Sequence, residues 1–279
     1  MFLSAGFRWG ARCACGEPFT ECAFWREVID EAMPSTDERS RQVLERAGRG
    51  LISNRRTPRL LRGRAAWSDD ECSMAALYVA LYRAIAGVSG ARLIVDSSKT
   101  PAYGMFLAAQ PELDVRVIHL VRDARAVAHS WTRRKTWKAA AAGDERLMKQ
   151  LNTGGAARQW LIANLFCEFM RRSADHVVTV RYEDLAADPE GVVERALSEL
   201  DVPTSSAASL TDHGFLGNPI RFDRAPREVV LDDAWLVELP DRQRRLSTLL
   251  TFPLLLRHGY PLRGRTRPPG SQPAGASSR

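Results

Sequence analysis

Residues 117–131, VIHLVRDARAVAHSW, decide the fold, because an apolar segment runs into an arginine and then into a helix-like pattern. Residues 115–121 are almost all β-branched or apolar, which is expected of a strand covered on both faces in a parallel sheet. Arg122 then stands at the carboxyl end of that strand, where ligands bind in open α/β sheets. The helix that follows would add backbone N–H groups and a positive dipole end, and Ser130 one more hydrogen-bond donor. The segment predicts a phosphate site.

Taken alone, the segment fits equally well an arginine that ends a strand and a serine packed into a helix. Two other segments favour the phosphate site. Residues 92–104, RLIVDSSKTPAYG, predict a second short strand that ends near Lys99, with Pro101 opening the next helix. Residues 176–189, HVVTVRYEDLAADP, predict a third strand, followed by Tyr182 with its flat aromatic face. Three strands are therefore expected to end in polar or cationic residues at one edge of the sheet.

Together these segments resemble the sulfotransferases that use 3′-phosphoadenosine 5′-phosphosulfate, in particular the bacterial branch with a DSSK motif. The resemblance implies that Arg122 and Ser130 hold the 3′-phosphate of the nucleotide and that Tyr182 lies against the adenine. It extends to the later sequence HGFLGNPIRF, where Arg221 would be a further phosphate contact. Lys99 would lie nearest the sulfuryl group, because a cation at that strand end can stabilise the leaving phosphate oxygen.

The resemblance implies a P-loop-NTPase-like parallel sheet flanked by helices, with residues 1–262 as one domain and residues 263–279 as a disordered basic tail. Family members open with a strand and a Gly/Ser-rich loop of the form GSGRSGTT, which binds the 5′-phosphosulfate. This sequence starts MFLSAGFRWGARCACG and has no such loop. We therefore expect an N-terminally truncated member without the first strand and loop, produced by gene decay, fragmentation or a start codon assigned too late.

The expected reaction is in-line transfer of a sulfuryl group to a hydroxyl or amine on a small-molecule, glycan or lipid acceptor. Asp96, Glu183 and His213 are candidates for the general base, whereas His119, in the middle of a strand, is expected to be a core residue. No metal is required, since the sulfuryl group carries less charge than a phosphoryl group.

One rival hypothesis is a non-catalytic remnant that binds adenosine 3′,5′-bisphosphate. A nucleotide-kinase-like protein ranks lower, because no G-x4-G-K-[ST] sequence occurs.

The net charge of +7 does not indicate a specific nucleic-acid partner. Residues 241–279 hold eight Arg and one Asp, which accounts for the whole excess, and no zinc-finger spacing or aromatic-interleaved basic patch occurs. No apolar run approaches the roughly 18 residues that span a bilayer, and arginines interrupt any signal-like segment near the start. We expect a cytoplasmic protein, and the sequence does not fix its oligomeric state.

Three cysteines, Cys13, Cys15 and Cys22, form a C-x-C-x6-C pattern of metal-like density. A tetrahedral zinc site would need a fourth ligand from elsewhere, and the first histidine is His119. A disulfide is disfavoured in a cytoplasmic protein. Of these three alternatives, the sequence favours a turn held by reduced thiols.

Two helices are also predicted. Residues 69–88 should form a helix with Ser68 as its N-cap. Residues 152–173 should form a long amphipathic helix whose Trp160, Asn164 and Phe166 could face the core or the acceptor, and packing is favoured for all three.

Overall fold

The fold is known from a computed structural model that describes residues 12–33, 57–60, 62–97, 100–133, 136–138, 145–147, 150–171, 174, 176–203, 213–214 and 231–263. Helices flank a small parallel two-stranded sheet in the described part of the chain, which confirms the predicted α/β class. The helices are α1 Ala23–Ala32, α2 Thr57–Leu60, α3 Asp69–Ser89, α4 Pro101–Ala108, α5 Ala124–Thr132, α6 Thr153–Met170, α7 Tyr182–Ala187, α8 Pro189–Glu199, α9 Trp235–Glu238 and α10 Asp241–Arg257. The strands are β1 Val117–Val121, β2 Thr136–Lys138, β3 Glu145–Leu147 and β4 Val177–Arg181.

A parallel pair of strands, β1 and β4, lies at the centre of the site-bearing region. The register runs from Val117 opposite Val177 to Val121 opposite Arg181, so the two strands end at the same level. Both strands were predicted, because β-branched residues dominate them. β2 and β3 form a separate antiparallel pair.

The prediction that β1 is covered on both faces is wrong. His119 and Val121 are buried on one face, whereas Ile118 and Leu120 on the other face are 47% and 51% exposed. The buried face packs against α6 and α10. On the opposite face, α8 covers β4 but, within the described residues, no helix covers β1.

The second predicted strand, over residues 92–96, is not formed. Residues 93–97 have no regular secondary structure, and the side chains of Leu93 and Val95 are 54% and 80% exposed. A strand needs a neighbour to satisfy its backbone N–H and C=O groups. Among the described residues, no strand pairs with this segment. Pro101 nevertheless opens α4 at its first turn, as predicted.

α3 begins where the sequence predicted. Ser68 is its N-cap, and its hydroxyl accepts a hydrogen bond from the Glu71 backbone N–H while the Glu71 carboxylate accepts one from the Ser68 N–H. Among the described helices, α3 is the one long and apolar enough to cross a bilayer, with a mean hydropathy of 1.4. Its Met74 and Tyr78 are buried in the apolar cluster that includes α1, which is the packing of a core helix.

α6 confirms the second helix prediction. Asn152 caps its N-terminus, and Trp160 and Asn164 are buried at 5% and 7% exposure. The side chain of Trp160 packs with Val121 of β1 and Leu255 of α10. α6 therefore joins the sheet to the C-terminal helix.

Candidate functional site

Arg122 and Tyr182 lie side by side because the strands before them end in register. Val121 pairs with Arg181, so the next residue of each chain segment leaves the same edge of the sheet. The guanidinium carbon of Arg122 lies 4.6 Å from the centroid of the Tyr182 ring. This is the distance of a cation–π contact. The structure thus brings together two of the residues that the sequence singled out.

The guanidinium of Arg122 also contacts an acidic residue that sequence reasoning missed. Its Nη2 donates to the backbone oxygen of Asp232 at 2.8 Å and to the Oδ2 of the same residue at 3.0 Å. The Nε of Arg122 is buried and has no hydrogen-bond partner among the described residues. The Arg122 side chain is 22% exposed. An anion at this edge could use the Nε donor and would compete with Asp232 for the Nη2 donors.

Two backbone N–H groups at the N-terminus of α5 are already bonded to carboxylates. The Asp123 side chain caps the helix, accepting a hydrogen bond from the Arg125 N–H at 2.8 Å. The backbone N–H of Asp123 in turn donates to Glu183 Oε1 at 3.1 Å. Two carboxylates therefore already face this dipole end. Anion recognition here would fall to the Arg122 side chain.

Arg125 forms a buried ion pair with Asp123. Its Nη2 lies 2.6 Å from Asp123 Oδ2, and the two side chains are 1% and 6% exposed. The same guanidinium donates to the backbone oxygens of Pro261 and Leu262 and lies 5.0 Å from the ring centroid of Trp235. Arg125 thereby fastens the start of α5 to the segment that follows α10.

A second link joins this C-terminal segment to the strand ends. The Tyr260 hydroxyl donates to Glu183 Oε2 at 2.6 Å and lies 3.2 Å from the backbone oxygen of Val121. Burial, followed by the hydrogen bond to Glu183, raises the pKa of Tyr260. The guanidinium carbon of Arg181 lies 4.5 Å from the centroid of the Tyr260 ring. Both oxygens of Glu183 are engaged, which does not suit the role of general base.

Of the other predicted nucleotide contacts, Ser130 lies within the described residues. Ser130 lies in the last turn of α5 and is half-buried. Lys99 and Arg221 lie outside the described residues.

Asp96, another candidate base, holds a fixed position beside two tyrosines. It accepts a hydrogen bond from the Tyr82 hydroxyl, which lies 3.0 Å from the Tyr103 hydroxyl. Burial, reinforced by the Asp96 charge, raises the pKa of Tyr82. The Asp96 residue itself is exposed at the surface.

His119 is a core residue, as predicted. It is 6% exposed, and its Nε2 lies 2.9 Å from Asn164 Oδ1 of α6. Burial lowers the pKa of His119, so the neutral imidazole is favoured.

His213, the remaining candidate for the general base, contacts two cysteines. Its Nδ1 lies 3.5 Å from Cys13 Sγ and 3.4 Å from Cys22 Sγ. The imidazole stacks on the Phe24 ring, with the centroids 4.5 Å apart. His213 is therefore part of a cysteine cluster at the start of α1.

Asp232, Arg125 and Tyr260 were not found from the sequence. Asp232 and Tyr260 contact residues 110 and 139 positions away. Arg125 carried the only local signal, since Asp123 and Arg125 flank the start of a predicted helix and can pair there.

Comparison with known protein families identifies the family of the chain. The sulfotransferase family matches residues 20–206, about two thirds of the chain and including both β1 and β4. No curated protein matches the chain.

Proposed function

Because the chain belongs to the sulfotransferase family, we propose that it transfers a sulfuryl group from 3′-phosphoadenosine 5′-phosphosulfate to a hydroxyl or amine acceptor. The observation that carries the proposal is the Arg122 guanidinium over the Tyr182 ring at the shared edge of β1 and β4. A nucleotide that carries both a phosphate and an adenine is matched by a cation beside an aromatic ring.

In this proposal Arg122 binds the 3′-phosphate. Its orphaned Nε and the Nη2 now shared with Asp232 supply two donors in the fork geometry that suits a phosphate. Ser130 and Arg221 would add further donors to the phosphate. The adenine would lie against the Tyr182 ring.

The transfer step needs positioning and charge stabilisation more than covalent help from the protein. The acceptor oxygen or nitrogen attacks sulfur, the bond from sulfur to the 5′-phosphate oxygen breaks, and adenosine 3′,5′-bisphosphate leaves. Lys99 is proposed to stabilise the negative charge on that leaving oxygen. The acceptor proton passes to a base. Both oxygens of Glu183 are engaged and His213 contacts cysteines, whereas Asp96 is exposed and accepts its hydrogen bond from Tyr82 at Oδ2, so Asp96 is the proposed base.

A second candidate function is a bisphosphate-binding protein without transferase activity. It is favoured by one observation, the lack of a Gly/Ser-rich phosphosulfate loop in the 279 residues. Loss of one oxyanion-type donor costs about 100- to 1000-fold in rate, and such a loop supplies several. These 279 residues alone would then hold the 3′-phosphate and adenine without activating the sulfuryl group.

A transfer assay with radiolabelled sulfate distinguishes the two functions. The 279-residue chain and a version preceded by a family-type strand and loop are tested with a mixed panel of hydroxyl and amine acceptors. We expect transfer by the longer version, at least about 1000-fold faster than by the shorter one.

Binding of adenosine 3′,5′-bisphosphate without transfer by either version would favour the non-catalytic function. Equal turnover by both would refute this division of the site. No binding by either would refute both functions.

A further inference from the structure

We propose that Cys13, Cys15, Cys22 and His213 bind one zinc ion. The three Sγ atoms and a ring nitrogen of His213 all lie within 4.8 Å of one another. The sequence provided three thiols and left the fourth ligand open. The fold brings His213 to the thiols from 191 positions beyond Cys22.

Three of the six distances between these atoms match the edges of a coordination tetrahedron, and the other three are within 4.8 Å. With zinc–sulfur bonds of about 2.3 Å and zinc–nitrogen bonds of about 2.0 Å, the edges of the tetrahedron are about 3.8 Å between sulfurs and about 3.5 Å between sulfur and nitrogen. The Sγ atoms of Cys15 and Cys22 are 3.7 Å apart, and His213 Nδ1 lies 3.5 and 3.4 Å from the Sγ atoms of Cys13 and Cys22. One ion at the centre would reach all four ligands.

The backbone fixes the thiols in this arrangement before any ion binds. The Cys13 N–H donates to the Glu17 oxygen at 2.9 Å, and the Gly16 N–H to the Cys13 oxygen at 2.9 Å. Gly16 has a φ of 102°, a conformation that glycine adopts without strain. This tight turn points Cys13 and Cys15 toward Cys22, which lies at the start of α1.

The imidazole is held by contacts on both sides of the cluster. Its ring is stacked on Phe24 at an interplanar angle of 11°. The Trp25 Nε1 donates to the His213 oxygen at 2.7 Å, and the Ala14 N–H donates to the Gly214 oxygen at 2.8 Å. Such outer contacts orient a metal ligand, and they give His213 a fixed direction toward the sulfurs.

The donor set selects both the metal and its role. Three thiolates and an imidazole suit zinc, whereas hard oxygen-seeking cations would bind poorly. All four positions are filled by protein, so no open position remains for water or substrate, and the ion would be structural. Cys13 and Cys22 are 0% and 1% exposed within the apolar cluster around α1 and α3.

A disulfide between two of these cysteines explains the cluster less well than a zinc ion does. The 3.7 Å between the Sγ atoms of Cys15 and Cys22 far exceeds the bonded length of about 2.05 Å, and none of the five cysteines is in a disulfide. A disulfide would also use only two of the four groups.

Metal analysis of the purified 279-residue chain tests the proposal. Inductively coupled plasma mass spectrometry should find about one zinc per chain. Cys15→Ser should lose the metal, and it is the most informative variant because Cys15 is exposed and its replacement leaves the core packing unchanged. Cys72→Ser, which alters an exposed cysteine outside the cluster, should keep zinc at the wild-type level.

His213 is tested by two substitutions that differ in ligation. His213→Ala should lose zinc, whereas His213→Cys should retain it by supplying a fourth thiolate. Cobalt titration of the zinc-free chain should give the visible bands of tetrahedral thiolate-bound Co²⁺, and added zinc should remove them.

The proposal is overturned if the wild-type chain carries no zinc and takes up no cobalt. Equal metal loss in Cys15→Ser and Cys72→Ser would overturn it too, as would full retention in His213→Ala. The proposal does not rest on sulfuryl transfer.

Discussion

Replacing Arg122 with alanine should weaken the binding of adenosine 3′,5′-bisphosphate by about 2- to 160-fold. A charge-assisted hydrogen bond contributes about 1.5 to 3 kcal/mol. Arg122 must first leave Asp232, whose side chain is 50% exposed, and such an exposed pair is worth at most about 1 kcal/mol. The net loss is then about 0.5 to 3 kcal/mol, where 1.36 kcal/mol corresponds to tenfold.

Isothermal titration calorimetry with the bisphosphate measures this loss. Arg195→Ala is the matched control, because Arg195 is 65% exposed on α8 and pairs only weakly with Asp188. The control should bind as the wild type does. Equal affinity of Arg122→Ala and wild type would refute the assignment of the 3′-phosphate to this arginine. Binding of AMP as tight as that of the bisphosphate would show that the 3′-phosphate is not the recognised group.

Four further outcomes are expected. Asp232→Asn should tighten bisphosphate binding up to about fivefold in the same titration, because it removes a carboxylate that the phosphate must displace; weaker binding would contradict this. Tyr182→Ala should lose about 1 to 3 kcal/mol of binding and Tyr182→Phe very little, because the ring face is what stacks. Arg125→Ala should lower the free energy of unfolding by about 3 to 5 kcal/mol in urea denaturation, since it leaves Asp123 buried without its partner; a loss below 1 kcal/mol would count against the pair. Because burial lowers the pKa of His119, the unfolded chain binds its proton more tightly, so stability should fall as pH drops below about 6.5, and less so in His119→Gln.

Local sequence patterns predicted the parts of the site that depend on strand ends. The apolar runs before Arg122 and Tyr182 are strands, and parallel strands in register bring their following residues together. The helix start at Ser68 could likewise be predicted, because Ser68 and Glu71, the two residues of its capping box, lie within one helical turn.

The sequence could not predict contacts that depend on tertiary packing. Asp232 and His213 each meet partners more than 100 positions away, and no local pattern marks them. The predicted strand over residues 92–96 is absent for a related reason. Its apolar residues suit a strand, but hydrogen bonds to a neighbouring strand are what make one, and composition does not supply the neighbour.

The contacts of residues 260–262 with β1 and α5 affect how the protein folds during its synthesis. Tyr260 and the backbone of residues 261–262 close over β1 and α5, yet Tyr260 is synthesised 139 residues after Val121. At about 5 to 20 residues per second, β1 waits roughly 7 to 28 seconds on the ribosome before its last partner exists. Until β4 has emerged to pair with it, β1 is an unpaired β-branched strand that is prone to pair with other chains. The yield of native protein should therefore depend on chaperones that shield the nascent chain, and on translation speed over the final helix.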